Sequence, residues 1–461
     1  MTLLTVEDLP LDIVYEILGQ LHVIDILHVR RACRRLYQAS YERHVWVNCY
    51  SRSNLLLPEG PLSSQSAQQL EALLVRAAKI HRSWTSDIPT TPSRRTFPRQ
   101  LPTYDFVANV ISGRYLQVLE GSLGISWYDL EGTDLSTPIL TYPCNTVIPM
   151  AGYLNYSVNA NGEGPNTVWV SLVADQPNRI VILKVHFSPA NNTVALHAQV
   201  AGVNVVGVRM SHDWLLPIRE FISSDDPMDL FHIPSRTTIH IPLHERIRNL
   251  SDLNSMNYVI TPRCLFMLFS LRTETLVDMY SLPCISDPLS SGICKRLFPS
   301  HSGVYPHAVS SLQTVETSAD YQSYTTPDHG HASFLALVYV SRSPTSWTSK
   351  IGLHLFDLNV ESTGTLSFLT KSVKTLDVGI ATTKLASTSR AGTCLAVTHS
   401  LPGPTIIAHY IQHHDDECTM AVQTLSLPEG LQSRDMLSFD GIQGRLCLIS
   451  GWTNIEILDY A

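Results

Sequence analysis

The stretch YLQVLEGSLGISWYDL, residues 115–130, contains two apolar runs of strand length, 115–119 and 125–130, close enough together to form a hairpin. The same pairing recurs outward along the chain. Residues 168–173 stand before 180–185, 214–218 before 230–233, 265–269 before 276–280, 334–340 before 353–358, 394–398 before 406–410, and 446–449 before 455–460. About seven hairpins over roughly 360 residues give some 50 residues to each. Residues 104–461 are therefore expected to form one large all-β domain.

A period of that size, built from short strands, is one blade of a β-propeller, and a propeller of about seven blades is the fold expected for this part. Several second strands end alike, in WYDL from Trp127, LFDL from Leu355 and ILDY from Ile457. The ending resembles that of WD repeats, where an acidic residue closes a strand beside a turn. The repeat is degenerate, with no recurrent Gly-His signature. Its spacing stretches between the fourth and fifth hairpins, where TVETSADYQSYTTPDHGH, residues 314–331, is expected to be a polar surface loop. Residues 104–110 form a strand just ahead of the first hairpin, and that strand is expected to join the last hairpin and close the blades. A twisted sandwich of similar strand number is the alternative fold.

Ahead of this domain the apolar spacing is helical. Ile13, Ile17 and Leu21 follow one another on one helix face with Val14 and Leu18 beside them, Pro10 suits a first turn, and Asp8 is a candidate cap. Gly19 and His22 loosen the chain before Asp25, a candidate N-cap for a second helix bearing Ile26, Leu27, Val29, Cys33 and Leu36. Arg30, Arg31, Arg34 and Arg35 make its polar side cationic. Two or three short helices are expected, with too little interior to bury so many aliphatic side chains unaided. They must pack on the rest of the chain or on a partner.

LPLDIVYEILGQLHVIDILHVRRACRRLYQASYERHVW, residues 9–46, resembles an F-box. The resemblance is carried by Leu9-Pro10, Ile17-Leu18 with Leu21, Asp25 with Ile26-Leu27, Cys33-Arg34 and the closing Trp46; Ala32 departs from it, standing where a larger aliphatic is usual. It implies docking onto a Skp-type adaptor, and through it a cullin, by an apolar face formed from Leu9, Pro10, Ile13, Ile17, Leu18, Leu21, Ile26, Leu27, Val29, Cys33, Arg34 and Trp46. After a Pro/Ser-rich break, SAQQLEALLVRAAKIHRSW presents Leu70, Leu73, Leu74, Ala77, Ile80 and Trp84 on one face. This segment resembles the helix between F-box and propeller in many fungal F-box proteins. Four prolines in residues 86–103 mark a spacer. The expected divisions are an F-box at 5–50, a linker helix and spacer at 51–103, and a propeller-like recognition domain at 104–461.

Composition narrows the function. The 461 residues carry a net charge of -8 with only 16% charged residues. Residues 1–103 bear 12 Lys/Arg against 9 Asp/Glu, and the remainder bears 20 against 31, so no electrostatic footprint for nucleic acid is present. The nine cysteines include no Cys-x-x-Cys pair, which favours free thiols over a zinc or redox motif. The acidic start and short apolar runs predict neither a secretion signal nor a membrane span, hence an intracellular protein of cytoplasm or nucleus.

Chemistry is sparse. There is no GxxxxGK[ST], HExxH or GxSxG. The cluster His413, His414, Asp415, Asp416, Glu417 and Cys418 has metal-ligand types, yet consecutive residues at a hairpin tip diverge, so a solvated turn is expected. Asp225, Asp226 and Asp229 suggest a solvated loop, while Asp129, Asp357 and Asp459 suggest turn caps. No catalytic residue, metal or cofactor is expected. The function these features imply is substrate recognition in a Skp/cullin/F-box ubiquitin ligase, the propeller holding an unknown client protein. The alternative is a propeller that binds a small molecule or sugar, with a helical head for packing or dimerisation.

Overall fold

The computed structural model describes residues 9–460 apart from 59, 87–90, 99–105, 121–123, 133, 144–153, 159–162, 165, 175–178, 189, 202–204, 220–226, 243, 245–246, 248–254, 261–263, 272–273, 284–294, 306–311, 317–330, 343–347, 361–365, 380–382, 387–393, 400–404, 415–416, 432–435 and 451–453. Five helices come first: α1 Leu11–Gln20, α2 Val23–Val29, α3 Arg34–Ala39, α4 Arg43–Arg52 and α5 Ala67–Thr85. The expected second helix is thus two, broken at Cys33, whose extended backbone caps α3. Asp25 lies in the first turn of α2, with His22 as N-cap, where a carboxylate still suits the helix dipole. The expected cap Asp8 lies outside the described residues.

Strand β1 (Ser93–Pro98) opens the β domain, and seven sheets follow. The first is β2 (Phe106–Ile111), β3 (Tyr115–Glu120), β4 (Gly124–Asp129) and β5 (Leu140–Tyr142); the second is β6 (Leu154–Val158), β7 (Thr167–Ala174), β8 (Arg179–His186) and β9 (Thr193–Ala201). The third is β10 (Val205–Ser211), β11 (Trp214–Arg219), β12 (Met228–His232) and β13 (Thr237–Ile241). The fourth begins β14 (Ser255–Ile260), β15 (Cys264–Ser270), β16 (Thr275–Ser281); the short β17 (Lys295–Arg296) then lies parallel to β13, and β18 (His301–Tyr305) completes the fourth. The fifth is β19 (Leu312–Glu316), β20 (His331–Arg342), β21 (Thr348–Val360) and β22 (Leu366–Gly379). The sixth is β23 (Thr383–Ala386), β24 (Cys394–His399), β25 (Thr405–His414) and β26 (Glu417–Ser426), and the seventh contains β27 (Met436–Asp440), β28 (Arg445–Ser450) and β29 (Asn454–Asp459). Each sheet is a blade of a propeller, antiparallel except at the β13–β17 pair, and each hairpin expected from the sequence is the middle pair of a blade.

The middle strands are apolar along their whole length because neighbouring blades cover both their faces. All eight residues of β7 are buried, whereas the outer strand β9 alternates toward solvent. Separate apolar clusters join blade to blade: Trp127 with Val170 and Leu183 between the first two, Trp169 with Leu215 and Phe231 between the next, Trp214 with Leu265 and Phe269 after that. Among the described residues the first strands of the blades have no strand on their inner side, and backbone groups there are met across the joints instead. Val110 N–H donates to Ser438 Oγ (3.1 Å) and Val110 O accepts from the Tyr156 hydroxyl (2.8 Å). Asn155 Nδ2 donates to Val208 O (3.1 Å), and Ser211 Oγ to Ile260 O (2.9 Å).

Four expectations are corrected. The strand that pairs with the last hairpin is β1, which runs antiparallel to β29 from Ser93↔Asp459 to Pro98↔Asn454, inside the segment expected to be a spacer. Residues 106–111 form β2 instead, paired with β3. Prolines are tolerated here because β1 is an edge strand, and Pro92 and Pro98 stand outside or at its end. The polar stretch from Thr314 begins as part of β19, paired with β20; its residues 317–330 lie outside the described residues. Asp229 likewise stands in β12, with its carboxylate 2.6 Å from His240 Nδ1, and Asp357 lies inside β21.

Phe97 is the anchor of β1. It is buried between the seventh and first blades with Val110, Leu116 and Ile457, its ring 4.6 Å from that of Tyr128. Glu456, also buried, accepts from Arg94 Nε and Thr96 Oγ1, both at 3.0 Å. Phe97→Ala is expected to cost about 3–5 kcal/mol, the usual range for an aromatic lost from a core. Because it frees β29 as an edge, it should also promote aggregation on heating; urea unfolding and light scattering measure both.

Candidate docking surface and its linkage to the propeller

Helix α1 is apolar on two faces, and the fold assigns them different tasks. Val14 and Leu18 enter the head's core with Val23, Ile26, Val45, Trp46 and Cys49. Ile13 and Ile17, one turn apart on the same face of α1, form an apolar ridge that points away from it, each 46% exposed; Leu11 (48%) and Ile24 of α2 (44%) are exposed as well. Pro10 is exposed at the start of this ridge. Large aliphatic side chains left in water are a surface that gains by being covered, since each fully buried Leu or Ile is worth about 1.5–3 kcal/mol.

The twelve residues singled out in the sequence therefore separate. Pro10, Ile13, Ile17 and Arg34 are exposed; Leu9, Leu21, Leu27, Val29 and Cys33 are half-buried; Leu18, Ile26 and Trp46 are buried. The last three shape the surface from inside. Trp46 Nε1 donates to Ser40 O (2.8 Å), and Arg35 holds the backbone oxygen of Leu9. Leu11 and Ile24 are exposed as well but were absent from the expected set.

The head is fixed to α5 by a half-buried charge pair. Arg30 donates to both carboxylate oxygens of Glu71 at 2.6 Å and, through Nε, to Ser40 Oγ at 2.7 Å. Its guanidinium also lies 4.3 Å from the ring centre of Tyr41. The bond to Glu71 raises the Arg30 pKa, which keeps the pair charged. Burial pushes the Cys49 thiol up to about 11, so this cysteine is an inert core group.

Helix α5 starts with a capping box: Ser66 Oγ accepts from Gln69 N (3.2 Å), and Gln69 Oε1 from Ser66 N (2.8 Å). Its Leu70, Leu74 and Ala77 pack in the head, while Ile80 and Trp84 pack with Leu56 against Ile406, Leu425, Leu446, Leu458 and Tyr460 of the sixth and seventh blades. Between these stretches Arg76 donates to Gln443 O (3.0 Å) and approaches Asp459 Oδ2 (3.4 Å). Asp459 also accepts from buried Arg445 Nε (3.0 Å), which itself holds Gly113 O and Glu131 of the first blade. Burial first, and then the neighbouring Arg445, lower the Arg76 pKa. Gly113 has φ +65°, and a Cβ there would overlap the Gln443 side chain, so this position requires glycine. Arg114 makes the corresponding bond to Asp129 (2.7 and 2.9 Å), so Gly-Arg before one strand and Asp at the end of the next is a repeat shared by the first and seventh blades.

Among the described residues no group of three or more His, Cys, Asp or Glu is placed to hold a metal ion. His413 and Cys418 pair across the β25–β26 hairpin, as do His414 and Glu417; Asp415 and Asp416 lie outside the described residues. No described helix is long and apolar enough to cross a membrane. Cys33 and Cys49 are free thiols.

Residues 6–52 match the family model described as F-box-like. No curated protein matches the chain. Among solved structures, the chain is similar to the WD40 domain of SCAP from fission yeast, at 9% identity over 80% of this chain and 98% of that one, with a TM-score of 0.42. It is also similar to the β-propeller domain of Nup133 from Vanderwaltozyma polyspora, at 9% identity over 79% and 99%, TM-score 0.36. Drosophila Semaphorin 2a aligns at 6% identity over 81% and 75%, TM-score 0.38. An F-box-like domain, by the match at residues 6–52, stands ahead of a β-propeller whose blades are the seven sheets described above.

His81, on the α5 face toward the propeller, lies 4.9 Å from the Tyr410 ring, and burial lowers its pKa below the ordinary 6.5. A histidine whose folded pKa is depressed contributes stability above its unfolded pKa and loses it as pH falls through the window below about 6.5. The melting temperature is therefore expected to drop between pH 7 and 5. His81→Phe should flatten that slope in calorimetric scans, and an unchanged slope would place the effect elsewhere.

Proposed function

We propose that this protein is a non-catalytic substrate-recruiting subunit of a Skp/cullin/F-box ubiquitin ligase, working in the cytoplasm or nucleus. Its head docks on a Skp-type adaptor, which brings the cullin, and its propeller holds the client protein. The observation that carries this reading is the ridge of Ile13 and Ile17 on one face of α1, with Leu11 and Ile24 exposed as well: large aliphatic side chains left in water beside a buried core. The F-box-like match over the same residues supports an adaptor of Skp type as the cover for that ridge. The propeller supports the client role by offering seven blades of loops on a body of net charge -11, from 20 basic and 31 acidic residues after residue 103.

Replacing Ile13 and Ile17 together by Asp tests this reading. Both side chains are on the surface, so melting should stay within a few degrees of wild type, while capture of a purified Skp-type adaptor should fall at least thirtyfold, the loss of about 2 kcal/mol that marks a hot spot. Leu18→Ala is the contrasting change: it should lower stability by about 2–5 kcal/mol, because it opens a cavity in the head. Equal adaptor capture by wild type and the double Asp variant, or none by either, sinks the proposal.

A further inference from the structure

Strand β26 ends its sheet, with β25 on one side and, among the described residues, no strand on the other. Along it Val422 and Thr424 are exposed, whereas Gln423 and Leu425 turn inward toward α5. Leu425 joins the apolar cluster of Ile80 and Trp84. Gln423 does not fit that setting: its residue is 8% exposed, and neither its Nε2 nor its Oε1 has a hydrogen-bond partner. The indole N–H of Trp84, 1% exposed, is unpartnered as well. Both side chains line a cleft of about 460 Å³ between the last turn of α5 and residues 421–424.

A buried amide without partners is costly, and a leucine of similar size would pack here without that penalty. The unpaired groups comprise donors, on Trp84 and on Gln423 Nε2, and an acceptor, Gln423 Oε1. A ligand must therefore supply both kinds. No lining residue is charged, so nothing in the cleft would neutralise a phosphate, a carboxylate or an ammonium group. A primary carboxamide meets these conditions, with its oxygen for the Trp84 and Gln423 N–H groups and its NH2 for Gln423 Oε1. The open edge of β26 beside it offers unpaired backbone groups to an extended chain.

We propose that the cleft between α5 and β26 takes the carboxamide side chain of an asparagine or glutamine carried on an extended client peptide that pairs with the edge of β26. The client role rests on the function proposed above, but the cleft does not involve the head's ridge. Binding here would place the client against the helix that also carries the head.

The probes are blocked pentapeptides, acetyl-Thr-Thr-Xaa-Thr-Thr-amide with Xaa as Gln, Asn, Glu or Leu, added to the full-length protein. The readout is the indole N–H resonance of Trp84, assigned by its loss in Trp84→Phe. The Gln or Asn peptide is expected to move that resonance saturably and to bind at least tenfold more tightly than the Glu and Leu peptides. Gln423→Leu should weaken that binding at least tenfold while melting no lower than wild type, since it removes an unpaired amide and keeps the volume. Gln117→Leu, which removes another buried unpartnered amide far along the chain, should leave the peptide response unchanged. Thr85→Phe, an exposed position at the cleft mouth, should block the site independently of any change in the cleft's buried wall.

A Gln peptide that moves the resonance no more than the Leu peptide overturns the proposal. So does wild-type binding by Gln423→Leu or Thr85→Phe, or a Gln423→Leu protein that melts several degrees lower, which would mean that the amide is paired inside the fold. Adaptor capture in the same preparation separates the two readings. Capture without a peptide response removes the cleft alone, and a peptide response without capture removes the ligase role while the cleft stands.

Discussion

Helix α5 is buried along one stretch by the helical head and along the next by the propeller, and neither core is complete without it. From Leu70 to Trp84 it spans about 21 Å at the usual rise per residue. Apolar packing alone would let such a helix slide or roll. Two directional contacts prevent this: Glu71 is gripped by Arg30 of the head, and Arg76, five residues on, reaches the turn before β28. The direction in which the exposed ridge faces is thereby tied to the blades.

The network under Arg76 extends that tie beyond one blade. Arg445 joins the seventh blade to the first through Gly113 O and Glu131, and Asp459 is shared by Arg445 and Arg76. Buried charges are weak sources of stability, because desolvation offsets much of their attraction. What they contribute is a penalty for misalignment, since moving any member strands another out of water. Shape here is held by apolar contact and orientation by charge.

How much of this the sequence discloses depends on what surrounds each element. The middle strands, such as TVWVSLVA and RIVILKVH, are covered on both faces and are written as nearly unbroken apolar runs, so all seven hairpins were legible. β1 was not, because a strand bonded on one side only can be short, polar and flanked by proline. In α1 the period marks a helix but cannot say which apolar face meets the core, Val14 with Leu18 or Ile13 with Ile17. Contacts such as Arg30 with Glu71, 41 residues apart, or Arg445 with Gly113, 332 apart, leave no local pattern. The Gln423 amide was equally invisible, since its meaning depends on a helix more than 300 residues earlier.

The pairing of β1 with β29 also sets a timetable on the ribosome. β1 is made before any blade, yet its partner follows roughly 360 residues later, a delay of tens of seconds at ordinary rates of synthesis. Ile80 and Trp84 wait in part for the same hairpin, because Leu446, Leu458 and Tyr460 belong to it, whereas Ile406 and Leu425 of the sixth blade come earlier. Throughout that interval the head's own residues are available, while β1 lacks its partner strand and the second half of α5 has only part of its seat. The hairpin of β28 and β29 completes the seventh blade and the seat of α5 together.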